Sequence, residues 1–223
     1  ISTLELDENL YHVIKECFRG GDTHANPNYS GKTLTNVASF DLTSAYPAAM
    51  VLRKFPMDTP HIDEHICSEL DLDYLASTPS KYFIVNIEFT NLRATTHITH
   101  PLSYSKTYPR NNTALVDNGR VVTAEFTTTT ICELDWLVIR KYYVWDSIKI
   151  NYCYTGNKNY LPTLFVKSIL ELYAKKTSLK KVEGMEREYM VAKNMTNSSY
   201  GMSVTDPVKD EIILDNDDED KPF

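Results

Sequence analysis

The sequence has no apolar run long enough for a membrane span, no Cys-x-x-Cys pair, no internal repeat and no excess of positive charge. The first absence excludes a spanning helix, which needs about 20 consecutive apolar residues. The opening Ile1-Ser2-Thr3 carries neither the charged start nor the apolar run of a secretory signal. The missing initiator methionine and the acidic end are expected of a piece of a longer chain. Cys17, Cys67, Cys132 and Cys153 stand far apart in a chain of 223 residues. A disulfide framework is not expected at that size, and a reducing compartment is the simpler reading. The net charge of −7 argues against a uniformly basic nucleic-acid binder. Its distribution argues the other way. Residues 206–223 carry eight acidic and two basic side chains, a balance of −6, which leaves the remainder near −1. Residues 167–193 hold seven Lys/Arg against four Glu. A near-neutral body with a basic arm is compatible with DNA contact.

With 42% hydrophobic residues the chain can bury a substantial core, as one large domain or parts of two. Fifteen tyrosines favour amphipathic contact surfaces over a minimal helical bundle. The apolar spacing predicts a helix over 1–18 that ends at Gly20-Gly21, a strand over Val37–Leu42, and a helix from Thr43 or Ser44 to about Lys54. Pro47 is tolerated there because the first turn has no intrahelical N–H bond to lose. Further strands are predicted at Tyr82–Phe89, Val121–Thr127 and Val144–Tyr154, and a turn at Gly156–Asn159. Thr130 and Glu133 read as a capping box that opens a helix to about Lys141. Two helices, about 162–180 and 184–201, form a hairpin near Gly184.

Two strings carry chemistry. Asp41-Leu42-Thr43-Ser44-Ala45-Tyr46-Pro47 has the form Asp-x-x-Ser-x-Tyr-Pro, and residues 193–201 have the form Lys-x-x-x-Asn-Ser-x-Tyr-Gly. Lys193, Asn197 and Tyr200 fall at i, i+4 and i+7, so they share a helix face. A cation, an amide and a phenol followed by Gly201 do not make a core stripe. Lys176 and Lys180, also four apart, extend the cationic surface. A carboxylate for metal binding and a cation for phosphate binding are the basic kit of nucleotidyl transfer. The bland alternatives are a solvated helix face for the lysines and a strand-end cap for Asp41.

Three other strings are decoys. Ser30-Gly31-Lys32-Thr33 resembles the end of a phosphate-binding loop, but Asn26 stands where the first glycine belongs. His61-Ile62-Asp63-Glu64-His65 fits an inverted zinc-peptidase signature without a downstream ligand, so a zinc hydrolase is the least favoured reading. His97 and His100 beside Pro101 read as exposed loop residues.

On the strength of these strings the chain resembles the family-B DNA polymerases, in particular their protein-primed phage branch. The Asp41–Pro47 string resembles motif A and Lys193–Gly201 resembles motif B. Phe18-Arg19-Gly20-Gly21 is similar to the Tyr-x-Gly-Gly linker that touches template DNA, with Phe in place of Tyr. The resemblance implies an α+β fold: a partial polymerase palm with antiparallel strands, an inserted mixed segment and a two-helix fingers hairpin. It implies a linker at 1–35, palm with motif A at 36–90, an insertion resembling the terminal-protein region at 91–155, fingers with motif B at 156–203 and an acidic tail at 204–223. Asp41 is then expected to bind two Mg²⁺ ions, with help from the Leu42 carbonyl. Tyr46 is expected to underlie the incoming sugar and exclude a 2′-hydroxyl. Lys193, Asn197, Tyr200, Lys176 and Lys180 are expected to contact the nucleotide, and Arg19, Gly20, Gly21 and Gly201 the DNA. The implied partners are template-primer DNA, a dNTP and a priming terminal protein, in the cytoplasm of a phage-infected or prophage-carrying bacterial cell. Motif C, the thumb and the exonuclease start are missing, and Asp217–Asp220 read as a charge run. These residues alone are therefore expected to be catalytically inert. A non-catalytic module that binds DNA or a priming protein is the competing reading.

Overall fold

The computed structural model describes residues 7–21, 23, 26–97, 99–110, 113–202 and 205. It divides into two compact units, one of Ile1–Asp41 with Arg53–Leu161 and one of Leu42–Leu52 with Pro162–Phe223. The acidic tail expected at 204–223 lies, except for Thr205, outside the described residues.

The first unit is built on an antiparallel sheet. Its elements are α1 (Glu8–Cys17), β1 (Phe55–Pro56), β2 (His61–Ile62), α3 (Glu69–Ser77), β3 (Lys81–Ala94), β4 (Thr107–Pro109), β5 (Leu115–Asp117), β6 (Arg120–Cys132), α4 (Glu133–Tyr142), β7 (Tyr143–Val144) and β8 (Ser147–Asn159). Strand order is β1-β8-β3-β6-β4, with β2 added to β8, β5 to β6 and β7 to β3. β3 is central, and its alternation decides the core: Phe83, Val85, Ile87 and Phe89 are all fully buried. Leu72 and Leu75 of α3 and Trp136 and Ile139 of α4 complete the cluster. Burying Trp136 requires a partner for its N–H. Nε1 donates to Asp73 Oδ1 at 2.8 Å, and Arg140 reaches the other oxygen of that carboxylate at 3.0 Å. Glu133 and Lys158, both nearly buried, pair at 2.8 Å. Burial pushes the Cys153 thiol up to about 12.

The second unit is helical: α2 (Ala45–Leu52), α5 (Thr163–Leu179) and α6 (Glu186–Gly201). The hairpin predicted from the apolar spacing is present. Gly184, at φ +78°, lies in the turn that joins α5 to α6. Ala192 and Thr196, four residues apart on α6, form its buried stripe, and the Thr196 hydroxyl donates to the Ala192 carbonyl at 2.7 Å.

Several expectations are corrected. Residues 37–42 form no strand, and Val37, Phe40 and Leu42 are 72%, 93% and 80% exposed. Alternation alone does not make a strand, because backbone N–H and C=O groups need a neighbouring strand, and no described strand pairs there. The Gly156–Asn159 turn is instead the end of β8, held straight by pairing with Lys81 and Tyr82 on one side and Phe55 and Pro56 on the other. Thr130 belongs to β6. The helix cap lies two residues later, where the Asp135 carboxylate accepts from the Cys132 N–H at 3.1 Å. His100 is buried, with Nε2 3.0 Å from the Thr96 carbonyl oxygen, while His97 is exposed. β3 and β8 run through the borders expected at 90/91 and 155/156.

Candidate nucleotide and DNA site

In the helical unit, the residues of the two strings meet. Ser44 takes a left-handed conformation, φ +53°, and its carbonyl accepts the first helical bond from Ala48 N at 3.0 Å. This turn launches α2 with Pro47 in its first turn, where Pro47 is buried. Tyr46 is left 58% exposed. Its ring lies on the ring of Tyr200 from α6, with centroids 4.0 Å apart and planes 15° from parallel. Lys193 and Asn197 are exposed, and among the described residues neither makes a hydrogen bond or ion pair through its side chain. Lys176 is committed: Nζ donates to Ser44 Oγ at 2.5 Å and lies 4.8 Å from the centroid of the Tyr173 ring. Lys180 is exposed at the C-terminal end of α5. A cavity of about 220 Å³, lined by Thr43, Ser44, Pro47, Val51, Ile169 and Tyr173, opens beside the turn.

Sequence reasoning missed the part played by Ser44. A serine ahead of a helix reads as a cap, yet here its hydroxyl receives a lysine from a helix 132 residues away. The one local signal was the tight Thr-Ser pair ahead of Tyr-Pro.

In the sheet unit, Asp41 is exposed, and its carboxylate makes no hydrogen bond or ion pair among the described residues. Arg19 is turned inward. Its Nη2 donates to Thr129 Oγ1 at 2.8 Å and to the Thr130 carbonyl at 2.7 Å, while Nε lies 3.5 Å from Asp135 Oδ2. The guanidinium thus fastens the segment to β6 and α4 instead of facing solvent. Gly20 and Gly21 are exposed, with nothing within 4 Å of a Cβ built on either. Gly201 is similarly open at the end of α6.

The decoys dissolve. His61 sits in β2, whereas Glu64 and His65 are in an exposed turn, so the helix that would align them is absent, and they form no metal-ligand group among the described residues. Lys32 donates to the Asn28 carbonyl at 2.9 Å, and no helix follows it before Ala45, so no phosphate-binding loop forms. No helix among the described residues is long and apolar enough to cross a membrane.

Comparison with known proteins gives a consistent picture. The family model for DNA polymerase type B, organellar and viral, matches residues 3–222. No curated protein matches the chain. Among solved structures, phi29 DNA polymerase complexed with primer-template DNA and incoming nucleotide substrates matches with a TM-score of 0.67 at 22% identity, covering 88% of this chain and 31% of that one. The orthorhombic crystal form of phi29 DNA polymerase matches with a TM-score of 0.68 at 20% identity, covering 92% and 33%. The complex with single-stranded DNA gives 0.65 at 22% identity, covering 88% and 30%. The likeness is one of fold, and the chain spans about a third of the length of these structures.

Proposed function

Because the chain belongs to the organellar and viral type B DNA polymerases, we propose that it forms part of a phage-type DNA-directed DNA polymerase, supplying part of the palm and the fingers. The observation that carries this reading is the stacking of Tyr46 on Tyr200, which brings two sequence-distant strings to one place. In this reading α5 and α6 are the fingers. Lys193 binds the triphosphate, with Lys176 and Lys180 adding charge. Asn197 and Tyr200 border the nascent base pair, and Gly201 allows the duplex a close approach. Tyr46, backed by the Tyr200 ring, is a rigid floor under the sugar where a 2′-hydroxyl would collide.

Asp41 offers hard oxygen donors and has no competing partner among the described residues, which suits Mg²⁺. The Leu42 carbonyl would share in holding the ions, with a second carboxylate supplied from outside these residues. Such a pair of ions, if held there, would supply activation of the attacking hydroxyl and charge neutralisation at the departing pyrophosphate. The role of this chain is positioning: cations for the phosphates and an aromatic floor for the sugar. Gly20 and Gly21 leave backbone free to track template DNA, and Arg19 anchors that linker rather than touching DNA itself.

The second unit is interrupted in sequence, leaving at Leu52 and resuming at Pro162. The intervening segment forms the bulk of the sheet unit. Within it, residues 91–155 are the part that would meet a priming terminal protein. We place the whole enzyme in the bacterial cytoplasm and propose that these residues alone do not catalyse.

The test is Asp41→Asn in the full-length polymerase. Primer extension is expected to fall by at least about 10²–10³-fold, with DNA binding retained. Extension near the wild-type rate would reject the catalytic reading in favour of a binding module.

A further inference from the structure

Away from the nucleotide site, three metal-ligating side chains from separate parts of the sheet unit converge. Cys17 is the last residue of α1, Cys132 ends β6, and Asp135 lies in the first turn of α4. The two Sγ atoms and a carboxylate oxygen all lie within 4.8 Å of one another. We propose that Cys17, Cys132 and Asp135 bind a zinc ion that clasps α1 and the following Gly20-Gly21 linker to the sheet.

The ligand chemistry favours zinc over the hard Mg²⁺ of the nucleotide site. Two sulfurs and one carboxylate form a borderline-soft set that takes tetrahedral zinc. Bonds of about 2.0–2.3 Å draw ligand atoms somewhat closer than the limit seen here, a small adjustment for side chains at element ends. Asp135 is already oriented. Its Oδ2 accepts from Cys132 N at 3.1 Å and faces Arg19 Nε at 3.5 Å. Such outer partners fix the direction of a ligating carboxylate.

The charges also balance. Two thiolates and a carboxylate around Zn²⁺ leave one negative charge. Arg19, whose Nε and Nη1 are buried without a hydrogen-bond partner, supplies the compensating positive one. The site would be structural, and the proposal is independent of the polymerase reading.

The test uses the reduced chain, with zinc measured by mass spectrometry after gel filtration and cobalt substituted to read thiolate ligation by absorption. One equivalent of zinc is expected, with a cobalt spectrum showing two thiolates. Cys17→Ser and Cys132→Ser should each weaken zinc binding by at least about 10-fold, the lower bound for disturbing a ligand shell. Cys67→Ser and His65→Ala should leave it unchanged. Because a cysteine variant can fail to fold, the wild-type result also decides alone. If the reduced wild-type chain takes up no zinc, or gives a cobalt spectrum without thiolate character, the proposal fails. It fails equally if Cys17→Ser folds and keeps its zinc, or if the only chemistry seen is a Cys17–Cys132 disulfide under oxidant.

Discussion

The two units spend their apolar residues differently. The sheet unit holds a continuous core in which Leu72, Phe83, Val85, Ile87, Phe89 and Trp136 have no exposed surface. The helical unit buries only Pro47, Met50, Ile169, Ala192 and Thr196 among its described residues, while Leu52, Leu164, Val191 and Met195 are at least half exposed. Residues that make a unit stand by itself are thus concentrated in one place, and exposed cations and rings in the other. The helical unit retains exposed cations and rings because its faces are not consumed by packing. Large truncations should therefore cost stability in the sheet unit and chemistry in the helical one.

The strongest way to break this contrast is Trp136→Ala. It removes a fully buried indole together with the Asp73 hydrogen bond and should destabilise the sheet unit by about 3–5 kcal/mol. Urea denaturation followed by circular dichroism would show it, and an unshifted midpoint would mean the core is not where stability resides. Next comes Tyr46→Val in the full-length polymerase. It should relax discrimination against ribonucleotides by roughly 10- to 200-fold with little change in melting temperature. Tyr200→Ala should move discrimination the same way, since it removes the backing ring. An unchanged dNTP/rNTP preference in both would remove the sugar-floor role.

Gly156→Ala sharpens the comparison inside the sheet. A Cβ at that position would lie 2.5 Å from the Tyr82 ring and 2.6 Å from Asp58 Oδ1. The Tyr82 hydroxyl is itself tied to the Asp58 carbonyl at 2.9 Å, so the ring cannot swing away freely. A loss of about 1–3 kcal/mol is expected by the same denaturation measurement. The smallest effect concerns pH. Hydrogen bonds from Arg93 and then Asn91 hold the Asp146 carboxyl below its usual range. A depressed folded pKa contributes stability above the unfolded value of about 3.9 and loses it as pH falls through the folded one. Thermal melts should show Asp146→Asn less sensitive to acid than the wild type in that window. Parallel curves would deny the effect.

Much of this was legible in the chain. The period-2 alternation of Phe83, Val85, Ile87 and Phe89 gave a strand with one buried face, and the spacing of Lys193, Asn197 and Tyr200 gave a shared helix face. Both depend on local periodicity, which is written in sequence. The failures share the opposite character. Val37–Leu42 alternates like a strand but has no described neighbour to pair with, while Gly156–Asn159 has turn composition and is held extended by strands on both sides. The resemblance of Phe18–Gly21 to a family linker says nothing of where the Arg19 side chain turns. Only the fold shows its guanidinium turned toward Thr129 and Asp135. The approach of Cys17 to Cys132 was illegible for the same reason, since a separation of 115 residues conceals a convergence that two element ends create.

The interruption of the helical unit has a temporal side. Helix α2 leaves the ribosome about 110 residues ahead of the helices that flank it, roughly 5–20 s at ordinary synthesis rates. During that interval the sheet can close while Met50 and its neighbours stay uncovered, so the helical unit is the last to be assembled.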